Sequence, residues 1–258
     1  MPYQNLQETK IFYEEYGAGE PLIFIHGSLS TGNETFQKQI HYFESSFRCI
    51  CPDLRCHGKS SGNSSQLDTK LLSEDIAEFM NKKSIISAHL IGHSMGGDVA
   101  MYCALNHPNR VSSVALISDG AAVNDRVTAY LERLRPDRID HQRYAKLIDK
   151  LQNRYEEEWE DFIKRTIWNC SVYPVFSDED LMRIAVPVLL ILGGQDEMVL
   201  DSEVDRLKQY LPDFQYHMIP NGNHFLHSQA ENYCKVNQII KAFLSTIHYI
   251  QNAKRNNN

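Results

Sequence analysis

The chain has 258 residues, of which 42% are hydrophobic and 23% charged, and its formal net charge is −7. This composition is typical of a folded globular protein and excludes disorder as the main state of the chain. The length fits one or two domains, and α/β enzymes of this size commonly form one. The acidic balance argues against a nucleic-acid partner, because a phosphate backbone is bound through clustered basic residues.

The sequence gives no sign of a membrane span or an export signal. Its longest apolar runs are strand-sized, far short of the roughly 20 residues that a spanning helix needs. Residues 1–17 lack the charged head and apolar stretch of a signal peptide, and six cysteines are too sparse for a disulfide framework. We therefore expect a cytoplasmic protein with reduced cysteines. The oligomeric state is unknown from the sequence.

Short apolar runs alternate with longer helical patterns along the chain, which predicts a parallel sheet covered by helices on both faces. The predicted strands are Lys10–Glu15, Leu22–Ile25, Phe47–Cys51, Ala88–Gly92, Val111–Ile117, Val188–Leu192 and Phe214–Ile219. The predicted helices are Leu67–Asn81, Met95–Asn106, Ser202–Leu211 and Ser228–His248.

Residues 121–180 interrupt this alternation, since they contain no convincing strand and 23 of the 60 are charged. We interpret them as a helical cap inserted into a core domain made of residues 1–120 and 181–258. Apolar residues in the cap recur at steps of three and four, which predicts one helix face or two stacked helices. These residues are Tyr144, Leu147, Ile148, Leu151, Tyr155, Trp159, Phe162 and Ile163. The face either packs on the core domain or roofs a substrate pocket, with Tyr155 and Trp159 as candidate substrate-binding residues.

The segment around Ser94 carries the strongest chemical signal. It is a Gly-x-Ser-x-Gly motif, Gly92 to Gly96, that follows a predicted strand and precedes a predicted helix. A nucleophile on such a sharp turn needs glycine on both sides, because a Cβ there would clash where strand and helix approach. Ser94 is therefore the candidate nucleophile.

A serine hydroxyl needs a base to activate it and an acid to orient that base. His224 follows the last predicted strand and Asp196 follows the strand before it, in the order Ser, Asp, His that accompanies this type of turn. His217 and His227 are less well placed alternatives for the base. Asp119, at the end of the strand Val111–Ile117, is an alternative for the acid.

Two backbone N–H groups are candidates for an oxyanion hole. Met95 begins the helix behind Ser94, and Ser28 lies in the loop after the strand Leu22–Ile25. A helix N-terminus presents N–H groups to developing negative charge, which suits an acyl-transfer reaction.

Five motifs taken together resemble the α/β-hydrolase superfamily, in the group of esterases, lactonases, haloperoxidases and carbon–carbon hydrolases. In chain order they are His26-Gly27, Asp53-Leu54-Arg55-Cys56-His57-Gly58-Lys59-Ser60, Gly92-His93-Ser94-Met95-Gly96-Gly97, Gly193-Gly194-Gln195-Asp196 and Gly222-Asn223-His224-Phe225. The resemblance covers about residues 10–248. It implies a mostly parallel eight-stranded sheet with a cap between strands six and seven, and a triad of Ser94, Asp196 and His224. Cys56 departs from the family, which usually has glycine at that position.

Metal and cofactor sites are not indicated. Cys49, Cys51, Cys56 and His57 are close in sequence, but two of the cysteines fall in a predicted buried strand, where Cys behaves as a small hydrophobe. The pair His224 and His227 lacks a further ligand at metal spacing. No Gly-x-Gly-x-x-Gly phosphate loop is present, so no cofactor is expected.

These observations favour a cofactor-free serine hydrolase that cleaves a carboxylic ester, thioester or lactone of a small to medium molecule through an acyl-enzyme on Ser94. Dehalogenases and epoxide hydrolases of the family are disfavoured because they carry Asp where this chain has Ser94. Carbon–carbon hydrolysis, perhydrolysis and acyl transfer stay open. A ligand-binding receptor that retains the triad is the alternative from another class.

Overall fold

The computed structural model describes residues 2–154 and 158–256, in which eight strands form one sheet. The strands are β1 (Tyr3–Asn5), β2 (Lys10–Tyr16), β3 (Pro21–Ile25), β4 (Arg48–Pro52), β5 (Ala88–His93), β6 (Val111–Ile117), β7 (Val188–Gly193) and β8 (Phe214–Ile219). Their order across the sheet is β1-β2-β4-β3-β5-β6-β7-β8. The β1–β2 and β2–β4 pairs are antiparallel and the other pairs are parallel. The expected mostly parallel, eight-stranded sheet is confirmed.

Nine α-helices accompany the sheet within the same residues. They are α1 (Gly32–Phe43), α2 (Thr69–Lys82), α3 (Met95–Asn106), α4 (Asp125–Glu132), α5 (Ala145–Arg154), α6 (Trp159–Val172), α7 (Asp178–Arg183), α8 (Asp201–Tyr210) and α9 (Tyr233–Asn256). The helix predicted from Ser228 begins five residues later, because residues 228–232 form turns before α9. The sequence analysis did not predict β1 or α1. The signal for α1 is the spacing of Phe36, Ile40 and Phe43, which are buried on one helix face.

Apolar cores lie on both faces of the sheet. Alternate residues of β3 separate between them: Ile23 and Ile25 pack in one core, and Leu22 and Phe24 in the other. Successive side chains of a strand point to opposite faces, so a strand buried on both sides reads as a continuous apolar run. The first core includes α2, α3 and the cap helices, and the second includes α1 and α9.

The helices α4 to α7 lie between β6 and β7, and no strand interrupts them in the described part of the cap. The apolar stripe of the cap divides between α5 and α6, with Leu151, Phe162 and Ile163 buried in the first core. The boundaries proposed for the core and cap as separate domains remain predictions. Across the described residues, no helix combines the length and the apolarity that a membrane crossing requires.

Candidate active site

Ser94 occupies the turn between β5 and α3 and has a φ of 51° and a ψ of −131°. A positive φ is costly for a residue with a Cβ, so this conformation holds only where its surroundings enforce it. The flanking glycines allow the close approach, since a Cβ on Gly92 would overlap the backbone of Gly96, and one on Gly96 would overlap that of Ile25. The half-buried Ser94 side chain therefore stands at the carboxyl end of a central strand.

His224 and Asp196 meet across the loops that follow β8 and β7. His224 Nδ1 lies 3.0 Å from Asp196 Oδ2 and 3.2 Å from Oδ1, and the Met198 N–H donates to Oδ1 at 2.9 Å. Burial raises the pKa of Asp196, but the hydrogen bonds from His224 and Met198 outweigh it and hold this pKa below its ordinary value. An ionised Asp196 keeps the proton on His224 Nδ1, which leaves Nε2 free to accept one.

The alternatives for acid and base are engaged elsewhere. Asp119 Oδ1 accepts the Ala121 N–H at 2.8 Å, and its other oxygen lies against Gly97. His227 is buried, which lowers its pKa to about 3, and His217 is exposed on β8. His224 Nδ1 thus donates its hydrogen bond to Asp196, not to Asp119.

The two residues predicted for the oxyanion hole are neighbours. Ser28 follows β3, Met95 is the first residue of α3, and the Ser28 hydroxyl donates to the Met95 sulfur at 3.3 Å. The first N–H groups of a helix have no partner within it, and their dipoles favour negative charge. The loop after β3 and the N-terminus of α3 therefore flank Ser94 together.

The loop that carries Ser28 is fixed from two sides. His26 Nε2 accepts the Leu54 N–H at 2.9 Å, while Lys150 from the cap helix α5 donates to Leu29 O at 3.0 Å. Burial lowers the pKa of His26 to about 4, so this imidazole is neutral and can act as an acceptor. The contacts join the loop to both the core and the cap.

His93 supports the loop that carries His224. Its Nε2 lies 2.9 Å from the His224 carbonyl oxygen, and a carbonyl only accepts, so Nε2 holds the proton. The ring centroids of His93 and His224 are 5.1 Å apart, and those of His93 and His227 are 4.3 Å apart. Burial lowers the pKa of His93 well below its ordinary value, so this packing places no second positive charge beside His224.

Ser94 and His224 line one cavity of about 50 Å³. The cap covers it with Asn124, Val127, Cys170 and Tyr173, and the core contributes three acidic residues, Asp98, Asp119 and Glu203. Asp98 and Glu203 were not predicted from the sequence as site residues. The signal for Asp98 is its place in the first turn of α3, directly after the Gly92 to Gly97 motif.

Trp159, one of the two predicted substrate-binding residues, is not brought to this cavity. Trp159 is 5% exposed, shares the first core with Phe162 and Ile163, and is not among the described residues that line the cavity. Tyr155 lies outside the described residues. A role for either side chain in binding substrate stays a prediction.

A larger groove of about 810 Å³ lies beside the loops after β3 and β4, and Ser94 and His224 are not in its lining. Its walls include Lys10, Asn33, Glu34, Lys59 and Phe162. We place the candidate site at the smaller cavity, because its lining combines Ser94 with His224, which is paired with Asp196.

The loop after β4 is anchored by a buried ion pair. Arg55 donates two hydrogen bonds to Asp75 of α2, from Nε to Oδ2 and from Nη2 to Oδ1, each at 2.7 Å. Cys56, where the motif usually has glycine, adopts a φ of 64°. The backbone there keeps the left-handed conformation that glycine favours, so the substitution leaves a strained residue in the loop.

Among the described residues, no group of three or more His, Cys, Asp or Glu side chains is arranged to hold a metal ion. Cys49 and Cys51 are buried in β4, and burial raises the pKa of the Cys49 thiol to about 12. A thiol with a raised pKa is a poor metal ligand, because the thiolate is the form that binds.

Comparison with known proteins finds similarity to α/β hydrolases. A family model described as alpha/beta hydrolase fold matches residues 20–146. A 2-hydroxy-6-oxononadienedioate/2-hydroxy-6-oxononatrienedioate hydrolase of Burkholderia vietnamiensis is 26% identical over 92% of this chain and 91% of its own. A 3-oxoadipate enol-lactonase of Acinetobacter baylyi is 25% identical over 80% of this chain and 83% of its own.

A solved structure shares the fold. A thermophilic esterase from Thermogutta terrifontis superposes with a TM-score of 0.75 at 22% identity, over 93% of this chain and 94% of that one. At this level of identity the likeness concerns the fold alone.

Proposed function

Because the chain belongs to the α/β-hydrolase superfamily, we propose that it is a serine hydrolase that cleaves a carboxylic ester, thioester or lactone of a small to medium molecule. The observation that carries the proposal is the pairing of His224 Nδ1 with Asp196 at 3.0 Å, beside a strained Ser94 that lines the same cavity as His224. Nucleophile, base and orienting acid within one site are the arrangement that acyl transfer needs.

In the proposed reaction Ser94 Oγ attacks the carbonyl carbon of the substrate and gives its proton to His224 Nε2. The bond to the leaving oxygen or sulfur then breaks, and His224 returns the proton to that atom. The acyl group stays on Ser94 until water attacks it, again with His224 as base, and the carboxylic acid leaves. The N–H groups of Ser28 and Met95 stabilise the negative oxygen that forms in both steps.

We also propose that the cap controls which substrates fit. Helix α6 begins at Trp159 and carries Cys170 to the roof of the cavity, so the packing of Trp159 sets the position of that roof. Tyr155, between α5 and α6, belongs to the same apolar stripe of the sequence.

The test is labelling with a fluorophosphonate probe followed by turnover of short esters, thioesters and lactones. We expect the wild-type protein to gain one label and Ser94→Ala to gain none. Loss of a nucleophile costs several orders of magnitude, so Ser94→Ala should hydrolyse the substrates at least about 10³-fold more slowly. Ser45→Ala is the matched control and should behave as wild type. It removes an exposed serine just before the amino end of β4, whereas Ser94 follows the carboxyl end of β5.

Labelling that persists in Ser94→Ala contradicts the assignment of the nucleophile. A wild-type protein that neither takes the label nor turns over any substrate favours the receptor alternative. Labelling at Ser94 with turnover only of a carbon–carbon substrate favours the carbon–carbon hydrolase.

A further inference from the structure

The cavity beside Ser94 has an acidic wall made of Asp98, Asp119 and Glu203, which are 8%, 6% and 7% exposed. None of the described residues that line the cavity is Lys or Arg. Burying carboxyl groups costs several kcal/mol unless donors or opposite charges compensate, so three of them at one small cavity call for a partner.

One of the three carboxyl groups already has its donors. Glu203 Oε1 accepts from the Asn124 side-chain amide at 2.7 Å, and Oε2 accepts the Leu200 N–H at 3.0 Å. The other two are incompletely satisfied. Apart from the contact between these two aspartates, no described residue offers a donor to Asp98 Oδ1 or Asp119 Oδ2, although both atoms are buried.

The position of these two oxygens relates them to the reacting atoms. Asp98 lies in the first turn of α3, which begins directly after Ser94, and both residues line the cavity. Asp119 ends β6 next to Gly97, and both aspartates line the cavity with Ser94 and His224. Burial raises the pKa of Asp119 to about 7 and that of Asp98 well above its ordinary value, so a positive charge bound beside them would favour the ionised form of both carboxyls.

We propose that the substrate carries a primary or secondary ammonium group, and that Asp98 and Asp119 bind this group while Ser94 attacks the carbonyl. The inference rests on the proposed hydrolase function and specifies its substrate class. An ammonium supplies N–H donors to the two unsatisfied oxygens and a positive charge to the acidic wall. A cavity of about 50 Å³ also has room for a group of a few heavy atoms, not for a long acyl chain.

A neutral alkyl group at the same place would leave both aspartates without donor and without water. A site built to hydrogen-bond a substrate group discriminates strongly against an analogue that lacks it, since the polar atoms of the site then stay unpaired. We therefore expect selectivity between isosteres, which differ only in the ammonium.

The test compares two pairs of isosteric esters at pH 7.5. Methyl β-alaninate and methyl butanoate differ only in an ammonium or a methyl group on the acyl side. 3-Aminopropyl acetate and butyl acetate differ in the same sense on the alcohol side. We expect kcat/KM to be at least about 10-fold higher for the ammonium member of one pair, because a tenfold ratio is about 1.4 kcal/mol, the scale of one charged hydrogen bond.

Asp98→Asn and Asp119→Asn should bring the kcat/KM ratio of ammonium to neutral ester closer to one. The change should come mainly from a higher KM for the ammonium ester. Asp205→Asn, an exposed aspartate on α8 near Glu203, is the matched control and should keep the preference. The wild-type comparison needs no variant, so it remains decisive if a variant fails to fold.

Equal or greater turnover of the neutral ester in both pairs, with Ser94 labelled by the fluorophosphonate, overturns the ammonium inference and leaves the hydrolase intact. No labelling and no turnover overturn the hydrolase. In that case calorimetry of the Ser94→Ala protein with methyl β-alaninate and methyl butanoate still tests the wall, and equal affinity for the two esters rejects it.

Discussion

Ser94, Asp196 and His224 are distant in the sequence, yet each follows the carboxyl end of a parallel strand. Parallel strands present these ends at one edge of a sheet, and ligands of open α/β sheets bind there. The order β5-β6-β7-β8 places Asp119 between Ser94 and Asp196, at the end of β6. The orientation of each side chain therefore decides which carboxylate hydrogen-bonds to His224. His224 Nδ1 contacts Asp196.

We predict that Asp196→Asn lowers kcat on a neutral ester by about three to four orders of magnitude, because the tautomer of His224 is no longer controlled. Asp119→Asn should have a much smaller effect on the same substrate, since Asp119 hydrogen-bonds Ala121 instead. Steady-state kinetics on both variants, with circular dichroism to verify folding, measures the difference. A greater loss from Asp119→Asn would reverse the assignment.

Among the elements, the loop after β4 is joined to α2 by a buried ion pair. The Arg55 and Asp75 side chains are 2% and 5% exposed. Burial raises the pKa of Asp75 even though the hydrogen bonds from Arg55 oppose the rise, whereas the same hydrogen bonds raise the pKa of Arg55. The raised pKa of Arg55 indicates a favourable ion pair, whereas the raised pKa of Asp75 indicates that burial disfavours the carboxylate. Burial is the largest cause for Asp75, so desolvation offsets most of the attraction.

We therefore predict that Asp75→Ala lowers the free energy of unfolding by about 3–5 kcal/mol, because Arg55 then stays buried without its partner. The double variant Arg55→Met, Asp75→Leu should recover most of this loss, since it removes both charges and fills the space. Urea unfolding of Asp75→Ala, of the matching single variants Arg55→Met and Asp75→Leu and of the double variant measures the loss and closes the cycle. Additive losses in the double variant would mean that the pair itself stabilises the fold.

For the whole molecule, four buried histidines couple stability to pH. Burial lowers the pKa of His26 to about 4, of His57 and His227 to about 3, and of His93 well below its ordinary value. In the unfolded chain they bind protons near pH 6.5. Between about pH 6.5 and 4 the unfolded state holds protons that the folded state does not, so the free energy of unfolding falls as the pH falls. The raised pKa values of Asp98 and Asp119 act in the opposite sense, because there the folded state binds the extra protons.

One histidine can be isolated by substitution. His227→Gln should lose less stability than wild type between pH 6.5 and 5, by about 2 kcal/mol, the cost of withholding one proton over 1.5 pH units. Urea unfolding at the two pH values measures the difference for each protein. The same pH dependence in both would show that His227 is protonated in the folded state.

The sequence by itself determined the features that depend on neighbouring residues. The motif Gly92 to Gly96 fixed the turn at Ser94, since only glycine allows that approach of strand and helix. The apolar run Val111–Ile117 located β6 at its observed bounds, because burial on both faces makes such a run continuous. Helix α1 was missed, since its few apolar residues form a weak pattern that tertiary packing completes.

Only the tertiary structure decided between Asp196 and Asp119 and gathered Asp98, Asp119 and Glu203 at one cavity. It also placed Trp159 in the first core instead of the cavity wall. The physical reason is that local patterns restrict the backbone and the buried face of each segment. The distance between side chains on β6, β7, α3 and α8 follows from strand order, register and helix packing, which no single segment specifies.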